Sequence, residues 1–164
     1  MTNTRNIISA PKIIVYVDDR EKAGKVWPVQ KYFSTVERKR LETGDYIFQS
    51  QKRNGIAITV EKKGSWKELI LNLTKRDRTR FEASLIRLAE QEKPLFIIEE
   101  SIDSLPHAFY CMPREVGLTM KSVLFWLNKI MFEYDIPVIM VGSVKQSREA
   151  MLEHLFDSIR RRLS

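Results

Sequence analysis

The chain has 164 residues, a formal net charge of +7 and 43% hydrophobic residues, which suits a single domain with a sizeable core rather than two ordinary domains. Cys111 is the single cysteine, and His107 and His154 are the two histidines, which excludes an intrachain disulfide framework and a thiolate zinc site. No run is long and apolar enough to span a membrane, residues 1–10 lack the hydrophobic centre of a secretory signal, and the excess of Lys and Arg favours a polyanionic partner, nucleic acid first. The expectation is a soluble intracellular protein in a reducing compartment, cytoplasmic in a prokaryotic or phage setting and nuclear in a eukaryotic one.

Residues 1–11 are polar and aperiodic and read as a flexible lead to one domain over residues 12–164. Ile13 to Val17 is a β-branched run ending in acidic residues, as a buried strand delivering Asp18 to its C-terminal edge would be. Val29 to Phe33 reads as a short helix, and Thr35 to Leu41 as a connection. Asp45 to Phe48 and Ile56 to Val60 flank Lys52-Arg53-Asn54-Gly55, where Asn-Gly signals a hairpin. Ser65-Trp66-Lys67-Glu68 has the pattern of a capping box opening a helix through Leu73. Phe81, Leu85, Leu88 and Ala89 mark the buried stripe of a second helix, and Pro94 closes the loop after it. Leu95 to Glu99 and Ile136 to Val141 are further strands, with a helix over Thr119 to Tyr134 between them and another over Gln146 to Leu163, read as a separate cap. His107 beside Pro106 falls on a loop-like stretch. Strand and helix patterns alternate, which predicts an α/β fold with a central mixed sheet flanked by helices.

The hairpin gives the acidic residues a reason to meet. Asp45 starts one arm and Glu61 ends the other, so antiparallel pairing brings two distant carboxylates to one end of the sheet. Glu61 and Lys63 are two apart on a strand and share a face, whereas Lys62 points away. With Asp18 at a third strand end, these residues have the chemistry of metal-assisted phosphodiester hydrolysis: carboxylate oxygens for Mg²⁺ or Mn²⁺, and an ammonium to orient the attacking water.

Val17-Asp18-Asp19-Arg20-Glu21, Gly44-Asp45 and Glu61-Lys62-Lys63 together resemble the xeroderma pigmentosum group F (XPF) nuclease family of the PD-(D/E)XK superfamily. The family pattern is Val-Asp-x-Arg-Glu, then Gly-Asp, a variable hairpin, and Glu-Arg-Lys followed three residues later by Asp. Lys62 replaces the arginine, and Lys67 stands at the trailing aspartate position with Glu68 one place on. Arg80-Phe81-Glu82, Glu99-Glu100 and Tyr134-Asp135-Ile136-Pro137 extend the resemblance over roughly residues 13–142. It implies a three-layer, restriction-endonuclease-like domain and a Mg²⁺- or Mn²⁺-dependent DNA endonuclease acting at flaps, forks or junctions to leave 5′-phosphate and 3′-hydroxyl ends. Asp18, Asp45 and Glu61 would hold metal and Lys63 would orient or help deprotonate water. No room remains after Gly142 for helix-hairpin-helix motifs, so a stand-alone nuclease domain is expected, with a separate DNA-targeting partner as an option.

Arg20 reads equally as a neutralising partner of Asp18 or Asp19 and as a catalytic group stabilising charge on the scissile phosphate. Lys62, Lys67, Arg76, Arg78 and Arg80 are the candidate phosphate contacts. Glu68 is expected to cap its helix rather than bind metal. Phe125 and Phe132, seven apart on the helix face opposite its apolar arc, either pack beneath the terminal helix or form a homodimer interface, which relatives of this kind also use. Two further functions stay open: a non-catalytic DNA-binding partner subunit, and a general repair or restriction nuclease of the same superfamily.

Overall fold

A computed structural model describes residues 12–52, 54–112, 117–142 and 145–164, with the side chains of residues 145–147 left aside. The lead expected over residues 1–11 lies outside the described residues. Strands β1 (Ile13–Asp18), β2 (Thr35–Lys39), β3 (Tyr46–Ser50), β4 (Ala57–Lys63), β5 (Lys93–Ile98) and β6 (Val138–Met140) form one six-stranded sheet in the order β2-β1-β3-β4-β5-β6. The β1–β3 and β3–β4 pairs are antiparallel and the β1–β2, β4–β5 and β5–β6 pairs are parallel. Helices α1 (Trp66–Asn72) and α2 (Arg78–Ala89) connect β4 to β5; α3 (Leu105–Tyr110) and α4 (Met120–Asn128) connect β5 to β6; α5 (Lys145–Leu163) follows.

Alternation along the strands sorts side chains into two cores. Val15, Val17, Tyr46, Phe48, Val60 and Ile97 pack with Trp27 and with Leu152, Leu155, Phe156, Ile159 and Leu163 of α5. Phe96 and Ile98 face the other way, onto Trp66, Leu69, Leu85, Val123 and Ile130 from the α1–α4 side. The sheet is thus the middle of three layers, a restriction-endonuclease-like arrangement. Helix α5 is not a separate cap: its apolar residues recur at helical spacing and Phe156 is fully buried against the sheet.

Four further details depart from expectation. Residues 35–39 form the edge strand β2, whose outer part, Glu37 to Lys39, is exposed and charged, the composition that blunts an unpaired edge. The hairpin between β3 and β4 is closed by the Ser50 N–H donating to Ile56 O at 3.1 Å. Among the described residues of its loop Asn54 alone carries a positive φ, 68°, while Gly55 is required for space, since a Cβ would lie 2.3 Å from Ser50 O. Pro94 lies inside β5 near its start, where a strand tolerates a missing N–H. Pro106 opens α3 at its first turn rather than marking a loop, because the first helical N–H groups have no intrahelical partner in any case.

Candidate active site

Gly44 sets up the site. Its φ is +75°, and a Cβ would sit 2.8 Å from both Val60 O and Thr59 Cγ2, so only glycine allows the chain to turn this tightly against β4. The Asp45 N–H then donates to Val60 O at 2.7 Å and the Asp18 N–H donates to Asp45 O at 2.9 Å. Because Tyr46 pairs with both Val60 and Val17, Asp18, Asp45 and Glu61 fall in a row across the ends of β1, β3 and β4, on the face opposite Val17, Tyr46 and Val60.

The three carboxylates meet different fates. Asp45 accepts a hydrogen bond at Oδ2 from the Lys62 N–H at 2.7 Å. Burial, and then the neighbouring Glu61 charge, push its pKa up to about 7. Glu61 Oε1 accepts from Lys63 Nζ at 2.7 Å, and Glu68 Oε1 stands 4.0 Å from the same ammonium. Burial alone would lower the Lys63 pKa, but the Glu61 charge and hydrogen bond, with Asp45 and Glu68 nearby, raise it. Lys63 therefore stays an ammonium at neutral pH.

Asp18 is engaged by Arg20. Its Oδ1 accepts from the Arg20 backbone N–H at 2.8 Å and from Nε at 2.9 Å, and its Oδ2 accepts from Nη2 at 2.5 Å. Burial pushes the Asp18 carboxyl up, but the Arg20 contacts outweigh it and hold the group below the ordinary carboxylate range. Arg20 Nη2 also donates to Leu41 O at 2.9 Å, while Nη1 has no hydrogen-bond partner among the described residues. Asp18, the third carboxylate of the expected metal set, is thus paired with Arg20, and among the described residues no group of three or more Asp, Glu, His or Cys is placed to hold one ion.

Asp45, Glu61, Lys63, Arg20 and Glu68 line one cavity of about 430 Å³. Of the expected phosphate contacts, only Arg80 lines it; Lys67, Arg76 and Arg78 are exposed elsewhere. Lys62 is corrected outright: its side chain is 3% exposed on the opposite face of β4 and lies 2.8 Å from Glu21 Oε2, so it has no path to a phosphate in the cavity. One group was missed. Arg87 lines the cavity with Arg80 and Ser84, and the recurrence at i, i+4 and i+7 on α2 was the available signal. Glu68 accepts from the Gly64 N–H at 3.1 Å while also facing Lys63, so it closes the helix start and borders the site. Phe125 and Phe132 are 59% and 81% exposed, which removes the alternative of packing beneath the terminal helix.

The paired carboxylates suit a divalent cation. Asp45 and Glu61 lie side by side at the ends of β3 and β4, and hard oxygen donors from one or two carboxylates are the usual protein share of a Mg²⁺ site.

The layered sheet defines the class, a restriction-endonuclease-like α/β domain, with an acid–acid–lysine cluster at its strand ends. The chain belongs to the ERCC4 domain family, whose match runs over residues 17–152. Among solved structures, XPF from Aeropyrum pernix in complex with DNA is similar with a TM-score of 0.59 at 23% identity, covering 92% of this chain and 64% of that one. XPF from Aeropyrum pernix also matches at a TM-score of 0.56 and 25% identity, covering 90% of this chain and 63% of that one. The chain thus spans less than two thirds of the length of either structure. No curated protein matches it.

Proposed function

We propose that this domain is a metal-dependent DNA endonuclease that hydrolyses phosphodiester bonds, with branched DNA (flap, fork or junction) as its substrate class. The observation that carries the reading is the Asp45–Glu61 pair, joined across β3 and β4, with Lys63 Nζ 2.7 Å from Glu61. The similar Aeropyrum pernix protein bound to DNA and the net charge of +7 support a DNA partner.

Asp45 and Glu61 would hold Mg²⁺ or Mn²⁺, which supplies charge neutralisation at the phosphate and lowers the pKa of water. Lys63, a protonated donor, orients the attacking water rather than taking its proton. Arg20, fixed at Asp18 and Leu41 O, presents Nη1 to a non-bridging phosphate oxygen and steadies charge as it develops. Asp18 acts by holding that guanidinium. Arg80 and Arg87 bind flanking phosphates along α2. A homodimer through Phe125 and Phe132 is part of the same proposal, as is a separate protein that targets the domain to DNA.

The test is a panel of linear duplex, flap, fork and four-way junction DNA with Mg²⁺, Mn²⁺ or chelator, for wild type, Asp45→Ala and Lys63→Ala. Metal-dependent cutting of branched DNA by wild type alone is expected. Cutting that survives Asp45→Ala defeats the site, and a wild type that binds but cuts nothing supports a non-catalytic partner subunit.

A further inference from the structure

On the far side of β4 from the cavity lies a buried charge network. Lys62 Nζ is 2.8 Å from Glu21 Oε2 and 3.8 Å from Glu99 Oε2, and it donates to Lys25 O at 3.0 Å. The Glu21 contact lies outside hydrogen-bond geometry and is an ion pair alone. Glu99 Oε1 accepts from Trp27 Nε1 at 2.7 Å, and from Arg148 of α5 at 2.5 Å through Nη2 and 3.1 Å through Nε. Two carboxylates and two cations therefore balance, with Lys62 and Glu99 only 5% and 7% exposed.

This network is anchored on the site's own backbone. The Lys62 N–H donates to Asp45 Oδ2 at 2.7 Å, Lys62 separates Glu61 from Lys63, and the Glu99 N–H donates to Lys63 O at 2.9 Å. We infer that Arg148 is a positioning residue for the active site: by neutralising Glu99 it keeps Lys62 shared with Glu21, and so fixes the strand that carries Glu61, Lys63 and the Asp45 hydrogen bond. Without Arg148, one ammonium faces two carboxylates, Glu99 buried and Glu21 part-buried, and closing on Glu99 would draw Lys62 away from Glu21 and the Val17–Glu21 segment. The inference rests on the proposed nuclease reading for its kinetic consequence but not for its structural one.

Arg148→Met keeps the aliphatic stem, and Arg148→Lys keeps the charge with fewer donors. The first readout is amide hydrogen exchange in the metal-free protein. In Arg148→Met the Lys62 N–H should exchange faster by roughly tenfold or more, amides of α2 should be unchanged, and Arg148→Lys should restore most of the protection. The second is cleavage of the preferred branched substrate, where Arg148→Met should lower kcat roughly tenfold with KM unchanged and Arg148→Lys should recover it. Lys62 protection equal to wild type in Arg148→Met overturns the inference, whether or not the protein cuts DNA. So does a lowered melting temperature with an unchanged Lys62 amide, which marks Arg148 as an anchor of α5 alone. If Arg148→Met fails to fold, Arg148→Gln is read by the same amide. Absence of cleavage by wild type overturns the nuclease reading and leaves the exchange result to decide this one.

Discussion

Gly44 and Asp45 show how much the site asks of single residues. At φ +75°, with β4 backbone 2.8 Å from where a Cβ would be, Gly44→Ala incurs left-handed strain and pushes Asp45 off β4. The expected loss is roughly 2 kcal/mol or more of stability, together with weakened metal binding, read by chemical denaturation and metal titration. Asp45 makes metal-free stability depend on pH with an unusual sign. Its folded pKa, about 7, lies above the ordinary aspartate value of 3.8, so its contribution is full below about pH 4 and is lost as pH rises through 7. Asp45→Asn should remove that slope and make the metal-free protein more stable than wild type at pH 8, by on the order of a few kcal/mol. Thermal melts from pH 4 to 8 decide this, and Mn²⁺ should raise the melting temperature of wild type but not of Asp45→Asn.

Helix α4 buries Val123, Trp126 and Leu127 and leaves Phe125 exposed, with Phe132 exposed in the π-helical turn that follows it. Phe125→Asp with Phe132→Asp is expected to give monomers where wild type sediments as a dimer at micromolar concentration, with the melting temperature of the fold little changed; a wild type that is already monomeric removes the interface. What was legible in the sequence follows the physics of each element. β1, β5, the hairpin arms and the α2 stripe were readable because their apolar residues recur at the strand or helix period. β2 was not, since an edge strand half in water carries charges instead of an alternating core face. The Asp45–Glu61–Lys63 grouping was readable because strand pairing alone fixes it. The pairing of Asp18 with Arg20 was legible only as one of two readings, because a turn, and not a period, aims that guanidinium. The burial of Lys62 was half legible: alternation sent it away from the cavity, but its partners Glu21 and Glu99 come from distant parts of the chain.

Over the whole molecule, the net charge of +7 is distributed unevenly relative to function. Lys62 and Arg148 are spent on the buried network, while Arg80 and Arg87 face the cavity. DNA binding should therefore fall with added salt, and Arg80→Ala or Arg87→Ala should each reduce the slope of log affinity against log salt by about one. Lys67→Ala, on an exposed surface away from the cavity, should leave the slope unchanged; fluorescence anisotropy in Ca²⁺ at several salt concentrations measures all three.

The order β2-β1-β3-β4-β5-β6 places the most local strand pair, β3 with β4, in the middle of the sheet, and that pair carries the two repelling carboxylates. A short-loop hairpin closes early because little chain entropy stands against it. If that hairpin forms in the folding transition state, the repulsion between Asp45 and Glu61 acts on the folding barrier before the outer strands dock. Asp45→Asn should accelerate refolding in chelator at pH 8 while changing the unfolding rate little. A divalent ion that binds this pair would then also change the rate at which the protein forms.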